Sequence, residues 1–210
     1  MRKITVFLCV VVLAVSLCAV PALAMESGQR RVTIGANLSD SQIDKIYEDF
    51  SLERGSVTEI KVTNDEERSY LEGLVSESKI GNVALSCSYI LTLDEGEGLS
   101  VSTNNISWCT EDMYKNALTT AGIKDASVMV SAPKSVSGTA ALTGIYKAYE
   151  DITGEKLDIA AKQVGAEELI VTGDLADAIG STDASLIVNQ LKEILEQAAT
   201  MSDDELRAEI

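Results

Sequence analysis

The chain has 210 residues, 46% of them hydrophobic, with 33 acidic against 17 basic residues and a formal net charge of -16. This length and apolar content suit one domain with its own core, or one domain with a helical extension. The negative charge repels phosphate backbones and anionic headgroups, which speaks against nucleic acid as a partner, and the absence of histidine removes Ser-His-Asp and Cys-His nucleophiles and most zinc sites.

The chain begins with basic Arg2 and Lys3, an apolar run from Ile4 to Val20, and Pro21-Ala22-Leu23-Ala24. Basic start, apolar stretch and A-x-A end are the parts of a secretory signal peptide over residues 1–24, cleaved after Ala24. The expected location is secreted or extracytoplasmic, associated with the cell envelope. Left uncut, the run is about long enough to span a bilayer, but Pro21 and the A-x-A end favour cleavage. No second apolar span follows, so no membrane span is expected in the mature chain. Of the four cysteines, only Cys87 and Cys109 remain after cleavage.

Val32-Thr33-Ile34 reads as a short strand. Ser39-x-x-Gln42 is a capping box, and Ile43, Ile46, Tyr47 and Phe50 form one helical stripe behind it. Val57 to Val62 alternates as a half-buried strand. Asn64 then caps a helix that opens on Asp65, Glu66 and Glu67, where the helix dipole favours negative charge, and that buries Tyr70, Leu71, Leu74 and Val75. Val83 to Leu93 is the longest expected strand. Asp94 to Gly98 forms a hairpin loop, and the return strand runs from Leu99 to Trp108. Centred on Gly96, that hairpin sets Cys87 opposite Asn105 and Cys109 opposite Val83. The two cysteines are then roughly 13 Å apart at about 3.4 Å per residue, beyond the ~7 Å a disulfide tolerates. Two free, inward-facing thiols are expected despite export.

Thr110 caps the next helix, whose stripe is Tyr114, Ala117, Leu118 and Ala121 and whose end is Gly122. Val128, Val130 and Ala132 form the last strand, stopped by Pro133. Helices follow: residues 138–153 ending at Gly154, then 156–171, a short turn over 175–179, and 183–200 carrying Ile187, Leu191, Ile194, Leu195 and Ala198. Ser202-x-x-Glu205 is a further capping box near the C-terminus.

The order strand, helix, strand, strand, helix, strand from Val57 to Ala132 predicts an α+β fold with a ferredoxin-like, split βαβ mixed sheet. An extra strand–helix pair precedes it and an all-helical segment follows. The expected organisation is a signal peptide (1–24), an α/β sheet domain (25–134) and a helical C-terminal segment packed on it (135–210).

Several stretches together resemble one family: residues 31–39 (Arg-Val-Thr-Ile-Gly-Ala-Asn-Leu-Ser), 62–71 (Val-Thr-Asn-Asp-Glu-Glu-Arg-Ser-Tyr-Leu), 106–114 (Ile-Ser-Trp-Cys-Thr-Glu-Asp-Met-Tyr) and 137–150, beginning Ser-Gly-Thr-Ala-Ala-Leu-Thr-Gly. The set is similar to the YpuA-like family of exported bacterial proteins, a domain of unknown function. The resemblance covers nearly all of the expected mature chain. It implies export and a continuation in more helix, and it carries over no catalytic residue.

Other patterns point to chemistry more weakly. Ser131-Ala-Pro-Lys134 matches S-x-x-K and Ser102-Thr-Asn104 matches S-x-N, but their order is reversed, Pro133 interrupts the first, and no K-T-G follows. Ser137 to Gly144 resembles a phosphate loop without its lysine; small residues there also let a helix approach a sheet. Asp94, Glu95 and Glu97 lack the spacing of a dedicated calcium loop. No cofactor, metal or catalytic residue is assigned. The sequence favours a non-enzymatic binding or interaction module at the envelope, with an envelope protein, peptide or polymer as partner. The alternative is a carboxylate-dependent hydrolase acting on envelope glycans, which needs two correctly spaced acids.

Overall fold

The structure is a computed structural model that describes residues 27–202, apart from Glu72, Val75, Thr182 and the side chain of Glu196. The expected signal peptide and Glu205 of the C-terminal capping box lie outside the described residues.

Five strands form one mixed sheet: β1 (Arg30–Gly35), β2 (Thr58–Val62), β3 (Cys87–Thr92), β4 (Leu99–Ile106) and β5 (Ala126–Val136). Their spatial order is β2-β1-β3-β5-β4. β1 runs parallel to β2 and β4 parallel to β5, while β3 lies antiparallel to both β1 and β5. The helices are α1 (Asp40–Asp49), α2 (Asn64–Leu71), α3 (Glu77–Ile80), α4 (Glu111–Thr120), α5 (Thr139–Thr153), α6 (Ile159–Ile179) and α7 (Ala184–Ala199).

The order of strands and of the larger helices in the sheet region matches the expectation, with the short α3 added between α2 and β3. The ferredoxin-like pairing does not form. β3 and β4 were expected to make a hairpin, but β5 lies between them: Thr92 of β3 and Leu99 of β4 both sit opposite Ala126. The 94–98 loop therefore bridges a strand rather than turning tightly. Asp125 secures it, because its Oδ1 accepts hydrogen bonds from the Gly96 and Gly98 amides at 3.0 and 2.8 Å. Both patterns give the same alternation along each strand, so periodicity alone does not separate them.

Alternation divides the core in two. Val32 and Ile34 of β1 and Cys87 of β3 face α1, which covers them with Ile43, Ile46, Tyr47 and Phe50. Ile90, Val128 and Val130 face the other side, where α4, α5 and α6 build the larger core. Cys87 and Cys109 belong to different cores and are both free and buried. The expected outcome holds for a different reason: the sheet stands between them.

Three local corrections follow from contacts that sequence patterns omit. Thr63, rather than Asn64, caps α2: its amide donates to Glu66 Oε2 at 2.8 Å and its hydroxyl accepts from the Glu66 amide at 3.2 Å. Pro133 does not end β5, which runs on to Val136. Its missing amide is tolerated because pairing with β3 ends at Ser131, and the β4 register jumps from Asn104↔Ser131 to Ile106↔Val136. Finally, the expected helix over 156–171 and turn over 175–179 are one helix, α6, begun by the Asp158 side chain accepting from the Ala161 amide at 2.8 Å.

Small residues set the helix–sheet distance as expected. A Cβ on Gly144 of α5 would collide with the side chain of Thr33, whose hydroxyl shares a 2.6 Å hydrogen bond with Ser88. A Cβ on Gly165 of α6 would come within 2.5 Å of the Ala117 carbonyl oxygen of α4.

Candidate functional site

The S-x-x-K and S-x-N matches do not assemble into one site. Ser131 is buried, and its hydroxyl donates to Asp49 Oδ2 at 2.6 Å. Asn104 Nδ2 donates to the same oxygen at 3.0 Å, while Lys134 is exposed and Ser102 lies on the open side of β4. Ser131 and Lys134 thus form no dyad. Burial pushes both thiols, Cys87 and Cys109, up to about 12, so neither supplies a thiolate at neutral pH. In the 94–98 loop the Glu97 carboxylate accepts from the Asp94 amide at 2.9 Å. Among the described residues, no group of three or more His, Cys, Asp or Glu side chains is placed to hold a metal ion.

Two buried carboxylates went unnoticed in the sequence, and both brace α5. At its N-terminal end, Glu67 of α2 is buried and accepts from Thr139 Oγ1 and, at 3.0 Å, from Asn64 Nδ2. Burial raises its pKa, although these hydrogen bonds and Arg68 oppose the shift. Near the other end, Glu150 holds Lys162 of α6 and Lys156, each at 2.7 Å. Desolvation would raise the Glu150 carboxyl, but the two lysines hold it below its ordinary value. Lys162 also donates to the Tyr70 hydroxyl at 3.1 Å. The periodic spacing of Glu67 within α2 was the available signal, but an acidic residue in a first helical turn ordinarily reads as solvated.

Among the described helices, α7 departs furthest from the rule of apolar inside and polar outside. Its inward side is mixed: Ala184 and Ser185 are buried, Val188 is half-buried, and polar side chains make its contacts with α4 and α6. Asn189 pairs with Asn116 of α4 at 2.7 Å. Lys192 reaches Glu168 of α6 at 2.9 Å and Thr120 of α4 at 3.1 Å. Its outward side carries Leu186, Leu191, Ile194 and Leu195, each more than half exposed, with Ile187 beside them. Ile187, Leu191, Ile194 and Leu195 belong to the stripe expected from the sequence and turn away from the body, while Ala198 of that stripe is half-buried and Leu186 lies outside it. Val164 and Val171 of α6 are also more than half exposed. Exposed large apolar side chains at helical spacing on an acidic protein point to an interaction face.

The fold and this surface define a mixed α/β protein with an outward-facing apolar helix. The chain belongs to the family described as "Protein of unknown function (DUF1002)", which matches residues 34–210. It is 44% identical over 183 residues, 86% of this chain and 63% of the relative, to the Bacillus subtilis (strain 168) protein described as "Uncharacterized protein YpuA". The chain therefore spans less than two thirds of the length of that curated relative. No solved structure matches. Among the described residues, no helix is long and apolar enough to cross a membrane.

Proposed function

We propose that this protein is an exported, non-catalytic interaction module of the cell envelope, and that the outward face of α7 is its binding surface for an amphipathic helix of a partner protein. The carrying observation is the inversion of α7: hydrogen bonds and an ion pair fix its polar side to α4 and α6, which leaves the aliphatic stripe exposed among the described residues. Leucine and isoleucine at helical spacing suit a second helix laid alongside, each side chain contributing about 1.5–3 kcal/mol when fully buried. The net charge of -16 favours a basic partner over a second copy of this chain, nucleic acid or an anionic membrane surface. The basic, apolar and A-x-A start supports export.

The hydrolase alternative needs an accessible acid held protonated. Among the described carboxyls, Glu67 is pushed upward, yet it is buried and its oxygens are engaged by Thr139 and Asn64. That favours the binding reading.

The test is site-specific photo-crosslinking in cells that make the protein, with the photoreactive residue at position 191 and a control at position 151. A discrete protein adduct from position 191 alone is expected. No adduct, or the same adduct from both positions, overturns the proposal. N-terminal sequencing of the extracytoplasmic protein is expected to begin at Met25; an intact leader on protein confined to the cytoplasm refutes export.

A further inference from the structure

A second surface runs along the β4 edge and meets α7 only at its N-terminal end. β4 is the last strand of the sheet order, with a neighbour only on its β5 side. Its Thr103 amide points away from the sheet and donates to Glu111 Oε1 at 3.0 Å. Backbone amides alternate along a strand, so the Val101 and Leu99 amides point the same way. This edge lines a trench. One part, about 450 Å³, lies between Thr103, Trp108, Glu111 and, on α7, Asp183 and Leu186. A further part, about 230 Å³, continues beside Leu99 and Val101 to Lys115. Glu111 and Asp112 border both parts.

The electrostatics of the trench are one-sided: Glu111, Asp112 and Asp183 against Lys115. The Glu111 carboxylate sits on an edge amide where the carbonyl of an added strand would otherwise accept. Natural edge strands are blunted by such devices unless they pair, and here the device is a displaceable side chain rather than a proline. Beyond the proposed helix-binding role of α7, we infer that the β4 edge takes an extended, basic segment of polypeptide as a sixth strand. Main-chain hydrogen bonds to β4 supply affinity. Lysine or arginine side chains facing Glu111, Asp112 and Asp183 supply selectivity. Glu111, released from Thr103, becomes one of the pairing carboxylates.

The test titrates the full chain against a fluorescein-labelled, amidated peptide of sequence Thr-Lys-Val-Lys-Val-Thr, read by anisotropy at low salt. The controls are a Thr-Glu-Val-Glu-Val-Thr peptide and two N-methylated forms of the lysine peptide, one for each alternate set of amides. A paired strand uses only one set, so one N-methylated form is expected to bind and the other to fail. The glutamate peptide is expected to bind at least about tenfold more weakly, as is the lysine peptide to the combined variant Glu111→Gln, Asp112→Asn, Asp183→Asn. Amide exchange is expected to slow over Leu99–Asn105. The inference is overturned by no saturable binding up to about 1 mM, by equal binding of both N-methylated forms, or by protection appearing in α7 instead of β4. The first outcome leaves the α7 crosslinking result untouched, so the two proposals fail separately.

Discussion

α5 and α7 are close in length, at 15 and 16 residues, and both carry apolar residues at helical spacing, yet they end in opposite environments. α5 lies against the sheet with both faces covered; even Thr139, Thr143 and Glu150 are buried. α7 turns its polar side inward and its leucines outward. The difference lies in what each helix meets. The sheet offers α5 Ile90 of β3, Val62 of β2 and a slot at Thr33 that admits only glycine. α4 and α6 offer α7 Asn116, Thr120 and Glu168, groups that would be costly to bury unpaired. An amphipathic pattern fixes that a helix has two sides, and the neighbour decides which side it takes.

The sharpest way to break α5's side of the comparison is Glu150→Gln. It leaves Lys162, itself buried, without its charge partner in the interior. Removing one member of a buried pair costs about 3–5 kcal/mol, seen as a lower urea midpoint. The double change Glu150→Leu, Lys162→Met is expected to recover much of that loss, since it removes both charges. Next in size is Gly144→Val. Its side chain must push Thr33 or the helix away, at about 1–3 kcal/mol, whereas a comparable enlargement at exposed Gln190 of α7 leaves the midpoint within about 0.5 kcal/mol.

These two helices also show what the sequence made legible. The α1 stripe, the Thr110 cap with its Met113 amide at 3.2 Å and the small-residue approach at Gly144 were readable, because each rests on local spacing or on residue size; the free thiols were reached through a hairpin that does not form. The strand order was not. Whether β4 pairs with β3 or β5 depends on long-range neighbours, and the alternation of Leu99 and Val101 fits either. The buried roles of Glu67 and Glu150 were hidden for a related reason: each acid is stabilised by groups far along the chain, Thr139 for the first and Lys162 for the second. The orientation of α7 was the last unreadable feature, and it carries the candidate site.

A smaller effect separates the two ends of α5 by pH. Burial raises the Glu67 carboxyl, so its neutral form favours the fold. That contribution is complete below the ordinary carboxylate range and is lost as pH rises through the raised folded value. Glu150 has the opposite sign: its lysine partners lower its pKa, so its contribution is present above the ordinary range and lost as pH falls through the lowered folded value. Urea midpoints between about pH 2 and 8 are expected to show both slopes. Glu67→Gln is expected to abolish only the loss on the rising side. An unchanged profile in that variant shows that Glu67 is charged throughout.

The smallest expected effect on stability is the most informative about function. In Leu191→Gln, Ile194→Gln the two changed side chains are each more than half exposed, so little apolar burial within the fold is lost, and the urea midpoint is expected to move by less than about 0.5 kcal/mol. A large-to-small change at buried Ile145 of α5, Ile145→Ala, is expected to cost about 2–5 kcal/mol. The crosslink from the α7 face is expected to disappear in the glutamine variant, with the photoreactive residue moved to position 195, and to persist in Ile145→Ala wherever that protein remains folded. If the glutamine variant instead loses stability as Ile145→Ala does, the α7 stripe is covered inside the folded chain, and the contrast between the two helices collapses together with the proposed site.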